Sequence, residues 1–114
     1  MDIRRGEIYL VSLDPTVGSE IKKTRPALII QNDVGNKYSP LTIVAPITST
    51  ARAKKYPTEV NITAKESDLD SDSTVLLNQI RTVDTSRIVR KLGALSQAKM
   101  REVDEAIRIS LAIS

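Results

Sequence analysis

At 114 residues the chain is the size of one ordinary domain and too short for two full cores. It holds no cysteine, which excludes disulfides and thiolate metal sites, and no histidine, which removes the commonest general base and metal ligand together. Catalysis would have to run on Arg, Lys, Asp, Glu, Tyr, Ser or Thr. The net charge of +3 is unevenly spread: residues 1–55 carry nine Lys/Arg against five Asp/Glu, residues 56–80 one against five, and residues 81–114 seven against four. Two basic stretches around an acidic one suit a polyanionic partner if they meet in space, and equally suit a mixed solvated surface.

Met1–Gly6 has no apolar leader and no apolar run reaches the length of a membrane span, so a cytoplasmic protein without membrane association is expected. Short runs rich in Val, Ile and Leu alternate with turn residues, the pattern of a small antiparallel barrel or sandwich. Glu7–Leu13 reads as the first strand, closed by Asp14-Pro15. A loop with Gly18 leads to a buried strand over Pro26–Gln31, and Asn32–Pro40 reads as a turn region. Leu41–Ile47 is the next strand, followed by a basic loop around Arg52, Lys54 and Lys55. Glu59–Ile62 is a short strand and Glu66–Asp72 an acidic loop. Val75–Ile80 and Arg87–Leu92 read as two further strands, with Gly93 breaking the pattern. Ser96 is the expected N-cap of a helix to about Leu111, with Met100, Val103, Ile107 and Leu111 on one apolar face beside Ala106, and an Arg101–Glu105 pair outside. That helix would cover an open edge or end of the barrel, and its apolar face could extend into a dimer interface.

Three stretches carry candidate chemistry. Asp68, Asp70 and Asp72 have the spacing of a calcium loop, but Ser73 and Gln79 stand where that loop needs Gly and Glu, so the stretch reads as a solvated acidic loop and no metal is expected. In GSEIKKTRPALIIQND, residues 18–33, Pro26 biases Arg25 toward an extended backbone at a loop-to-strand junction. From there Arg25 either faces a groove or pairs with Glu20 on the surface. In APITST, residues 45–50, the hydroxyls of Thr48, Ser49 and Thr50 can serve phosphate oxygens or an ordinary turn.

The order and spacing of RRGEIYLV, GSE…TRPALIIQND, TIVAPITS, VLLNQIRTVDTSRI and LGALS, over nearly the whole chain, resemble the MazF/PemK family of toxin endoribonucleases. The resemblance implies one domain over residues 1–114, mainly β with α: a small SH3-like β-barrel with a C-terminal helix, as in the MazF, PemK and CcdB toxins. It also implies a homodimer that cuts single-stranded mRNA at short sequences without cofactor or metal, and so inhibits translation and growth. A cognate MazE-like antitoxin would neutralise it, bind DNA together with it, and lay an acidic tail on the loops around Lys22, Lys23, Arg52, Lys54 and Lys55. The family's catalytic arginine falls on Arg25 and its catalytic threonine on Thr48. Ser19, Glu20, Asn32, Ser49 and the Gln79-Ile80-Arg81 segment match positions lining the RNA groove, with Lys22, Lys23 and Thr50 beside them. Where many members have Gln-Gly-Gly after Glu20, this chain has Ile21-Lys22-Lys23, which bears on loop flexibility and the RNA sequence recognised.

Without histidine or metal, the accessible route is attack by the RNA 2′-hydroxyl on the adjacent phosphorus, leaving a 2′,3′-cyclic phosphate and a 5′-hydroxyl. Arg25, permanently charged, would stabilise the phosphate or donate to the leaving oxygen, Thr48 would donate to the same phosphate, and Glu20 is the candidate base. Two alternatives stand beside this reading. One is a CcdB-like toxin that binds gyrase without catalysis, for which Arg25 and Thr48 would be needless. The other is an inactive RNA- or DNA-binding module.

Overall fold

The computed structural model describes residues 2–15, 17–20, 23–49 and 56–114. In chain order the elements are β1 (Glu7–Ser12), β2 (Thr24–Ile29), α1 (Asp33–Tyr38), β3 (Leu41–Thr48), β4 (Glu59–Ile62), α2 (Ala64–Ser67), β5 (Ser73–Leu76), β6 (Arg81–Asp84), β7 (Ile88–Ala94) and α3 (Gln97–Leu111). The strands pair antiparallel in the order β4-β5-β3-β2-β1-β7. One edge of the long β3 is shared, with β6 against Leu41–Val44 and β5 against Ile47 and Thr48. Among the described residues β4 and β7 do not pair, so the barrel stays open. Helix α3 packs on β4 and α2 on β7, which fills that gap.

The central strands are buried on both faces, which is why Ala27-Leu28-Ile29-Ile30 reads as an unbroken apolar run. Ile8, Leu28, Ala45 and Ile47 enter one core with Val60, Val75 and the Met100, Val103 and Ala106 face of α3. Their neighbours Tyr9, Val11, Ala27, Ile29 and Val44 enter a second with Ile3, Leu13, Val83 and Ile88. Each large side chain fully removed from water here contributes about 1.5–3 kcal/mol. Arg5 ties the two ends of the chain together: its Nε donates to the Ile30 carbonyl at 2.8 Å and its Nη2 meets Asp104 of α3 at 2.6 Å.

Several expectations are corrected. Asn32–Pro40 is not a plain turn region, because Asn32 accepts from the Gly35 N–H at 2.8 Å and caps the six-residue α1. The stretch Glu66–Asp72 begins inside α2, whose capping box joins Thr63 and Glu66. The strand expected over Val75–Ile80 spans Ser73–Leu76, and the Gln79 N–H turns back to the Leu76 carbonyl at 3.2 Å. Strand β6, with one buried apolar residue (Val83), was too short to be read from periodicity. Gly93 does not break a strand but lies buried inside β7, where a side chain would strike the Ser67 carbonyl. The Ser96 cap holds, accepting from the Lys99 N–H at 3.1 Å. Leu111, however, is exposed, so the packed face of α3 ends near Ile107, and Glu105 pairs with Arg108 rather than Arg101.

Candidate active site

The β1–β2 loop is fastened at its base. The Leu13 N–H donates to the Lys23 carbonyl at 3.2 Å and the Lys23 N–H to Asp14 Oδ1 at 3.0 Å. Arg81 Nη1 donates to the Leu13 carbonyl at 2.8 Å, and Arg87 Nη1 to the Ser12 carbonyl at 3.3 Å and to the Asp14 carbonyl. Lys23 holds φ +72, a left-handed backbone that costs a side-chain-bearing residue about 1–2 kcal/mol. It stands where the Gln-Gly-Gly stretch would supply glycine. At the tip the loop closes on itself, with the Val17 N–H donating to Glu20 Oε1 and the Glu20 N–H to the Val17 carbonyl.

Two clefts open beside this loop. The first, of about 420 Å³, is bordered by Ser19 and Glu20 from the loop, Pro46 of β3, and the Asn78–Arg81 turn. The second, of about 580 Å³, is lined by Arg25 and Ser49 together with Pro26, Ile47 and Leu10. Pro46 belongs to the first cleft and Ile47, the next residue, to the second. Successive strand residues point to opposite faces, so the clefts lie on either side of one strand end. That end carries Arg25 and Thr48. The β2–β3 ladder runs Ile29↔Val44, Leu28↔Ala45 and Ala27↔Pro46 and ends there, with Arg25 and Thr48 each two residues past its last pair. Arg25, Thr48 and Gln79 are each engaged in further contacts within the fold.

The candidate residues thus fall into three groups. Ser19, Glu20, Gln79 and Arg81 gather at the first cleft, Arg25 and Ser49 at the second, and Thr48 at the strand end between them. Lys23 is at the loop base with an exposed side chain. Asn32 lies beyond the far end of β2, its side-chain oxygen spent on capping α1. Lys22 and Thr50, with the basic loop around Arg52, Lys54 and Lys55, lie outside the described residues. Asp68 and Asp70, read as a solvated loop, line the second cleft together with Arg90 and Lys91 of β7. The one sequence signal for that approach is Gly93 in a strand, a mark of close backbone contact. Asp72 instead accepts from the Ala64 N–H at 2.8 Å, and no group of three or more acidic side chains among the described residues is placed to hold a metal ion.

The described strands form an open antiparallel barrel with a C-terminal helix against its gap. The chain belongs to the PemK-like, MazF-like toxin family of type II toxin–antitoxin systems, which it matches over residues 4–111. It is similar to MazF from Deinococcus radiodurans, with 27% identity, TM-score 0.84 and coverage of 99% of both chains. The Mycobacterium tuberculosis toxin MazF-mt6 matches at 28% identity and TM-score 0.79, over 95% of this chain and 98% of that one. A MazE–MazF complex from Deinococcus radiodurans matches at 27% identity and TM-score 0.77, covering all of both chains. No helix among the described residues is long and apolar enough to cross a membrane.

Proposed function

We propose that this protein is a sequence-specific endoribonuclease toxin that cuts single-stranded mRNA in the cytoplasm and is neutralised by a cognate MazE-like antitoxin. The observation that supports it most is that Arg25 and Thr48 each lie two residues past the last β2–β3 pair, at strand ends bordered by two clefts. An RNA strand crossing those ends has its phosphate over the pair and its flanking nucleotides in the clefts.

The 2′-hydroxyl oxygen attacks the adjacent phosphorus and loses its proton, the bond from phosphorus to the 5′ oxygen breaks, and that oxygen gains a proton. The products are a 2′,3′-cyclic phosphate and a 5′-hydroxyl. The guanidinium of Arg25 stabilises charge on the equatorial oxygens or donates to the leaving oxygen, because arginine stays protonated and is a poor base. Thr48 donates to the same phosphate. Glu20, bordering the first cleft with Ser19 and Gln79, takes the base or positioning role. The route uses no metal. The protein acts as a homodimer, and the antitoxin covers the basic β1–β2 and β3–β4 loops.

Removing one such charge stabiliser typically costs about 10²–10³ in kcat. Arg25→Ala therefore cuts RNA at least about a hundredfold more slowly than wild type while keeping its circular dichroism and its dimer sedimentation. An Arg25→Ala protein that retains most of its activity contradicts the assignment. The gyrase-binding alternative is favoured by no observation on this fold.

A further inference from the structure

We infer that the cleft beside Arg25 seats one nucleotide of the RNA, with phosphate held by Arg25 and Arg90 and the base edge read by Asp68 and Asp70. This rests on the nuclease reading above and names the substrate chemistry of the second cleft.

The cleft is lined by two arginines, two aspartates and several apolar side chains. Arg90 comes from β7, where it pairs with Leu10, and Leu10 pairs on its other side with Pro26, the neighbour of Arg25. Arg90, Leu10 and Pro26 therefore share one face of the sheet, and the cleft bordered by that face is lined by Arg25 as well. Lys91 already pairs with Glu7 at 2.6 Å, whereas Arg90 is exposed and makes no side-chain hydrogen bond or ion pair among the described residues. The 68–73 segment supplies Asp68, Leu69, Asp70, Ser71 and Ser73 to the same cleft. Within that segment Asp72 is held by Ala64, but Asp68 and Asp70 make no side-chain hydrogen bond or ion pair among the described residues. Leu10, Pro26, Ile47 and Leu69 supply the apolar part of the lining.

A phosphate is repelled by the aspartates and drawn to the arginines, so the strand's backbone runs along β2–β7 and its base points across the apolar lining. An ionised carboxylate only accepts hydrogen bonds. The base it meets must therefore donate. Guanine offers N1–H and N2–H₂ side by side for a carboxylate, and cytosine and adenine offer one amino group. Uracil presents a single N–H between two carbonyl oxygens, which the carboxylates repel. The volume of about 580 Å³ falls within the range of small-ligand pockets. Single-stranded RNA is commonly read on such exposed Watson–Crick edges.

The test is cleavage-site mapping on a randomised single-stranded RNA pool by wild type, Asp68→Asn, Asp70→Asn and the double variant, all checked for native circular dichroism. Asparagine keeps the left-handed backbone of Asp68 and can donate as well as accept. Wild type excludes uracil at one position beside the cut bond, and the asparagine variants admit it about tenfold more often relative to guanine. Arg90→Gln raises KM severalfold, more than it lowers kcat, and reduces the salt slope of RNA binding by about one phosphate contact. If wild type cuts but all maps coincide and Arg90→Gln binds with unchanged salt dependence, the subsite is wrong and the nuclease reading stands. If wild type cuts no RNA in the pool, the nuclease reading falls and the subsite with it.

Discussion

Replacing Gly93 by alanine probes both the packing that fills the open barrel and the wall of the second cleft. A Cβ at this position lies 2.0 Å from the Ser67 carbonyl oxygen and 3.1 Å from Asp68 Cβ. The carbonyl must withdraw by about 1 Å to reach even the closest tolerated separation. It cannot do so freely, because Ser67 is fully buried and its Oγ donates to the Thr63 carbonyl at 2.7 Å inside a complete capping box. Overpacking against backbone costs about 1–3 kcal/mol, and the rigid α2 puts this site at the upper end. A loss of about 3 kcal/mol in a domain of this length lowers Tm by on the order of 10–15 °C. Urea denaturation at fixed protein concentration reads the first quantity and a thermal scan the second. The displacement also carries Asp68 away from Arg90, so any uracil exclusion at the cleft weakens in the same protein. A Gly93→Ala protein within about 0.5 kcal/mol of wild type refutes the close-approach reasoning.

Arg5→Ala removes the donor to the Ile30 carbonyl and the Asp104 pair, both partly buried, and should cost about 1–3 kcal/mol by urea denaturation; no change would mean the bridge is idle. At Lys23, glycine should be near neutral and valine destabilising by about 1–2 kcal/mol, since only the first accepts φ +72 without strain; equal stabilities would contradict the left-handed assignment. Stability should also bend with pH at both ends. The Arg5 N–H depresses the Asp33 carboxyl and the Thr63 N–H that of Glu66, while at Glu7 burial pulls upward but hydrogen bonds from Lys91, Arg4 N–H and Tyr9 more than offset it. Their stabilisation is present above the unfolded carboxylate pKa of about 4 and is lost as pH falls through the lower folded values. Burial, then the charge of Glu7, pushes Tyr9 up to about 12, so its contribution is complete below pH about 10 and lost between there and 12. A urea midpoint that does not move below pH 4 or above pH 10 would contradict those pairings.

Strands with continuous apolar runs were legible in the sequence because burial on both faces leaves no alternation to misread, as at Ala27–Ile30. The Ser96 cap was legible because capping chemistry is local. What escaped was set by partners distant in sequence. Strand β6 exists because β3 offers it an edge, not because Arg81–Asp84 has much apolar content of its own. Gly93 looks like a breaker until Ser67 is seen behind it. At the candidate site, the RP pair and the hydroxyl run marked Arg25 and Thr48 through family resemblance, and both lie just past the last β2–β3 pair. The gathering of Asp68 and Asp70 in one cleft with Arg25 and Arg90 depends on how the residues after α2 pack beside Gly93 of β7, which spacing along the chain does not encode.

The central claim is the metal-free transesterification of RNA at Arg25. Its most direct measurement is end-group analysis of a single-stranded RNA incubated with the purified protein in EDTA, beside the same strand carrying a 2′-deoxy residue at the cut position. The expected products are 2′,3′-cyclic phosphate and 5′-hydroxyl ends on the RNA, with the deoxy strand left intact. Products with 5′-phosphate ends, a cut deoxy strand, or loss of all cleavage in EDTA would contradict it.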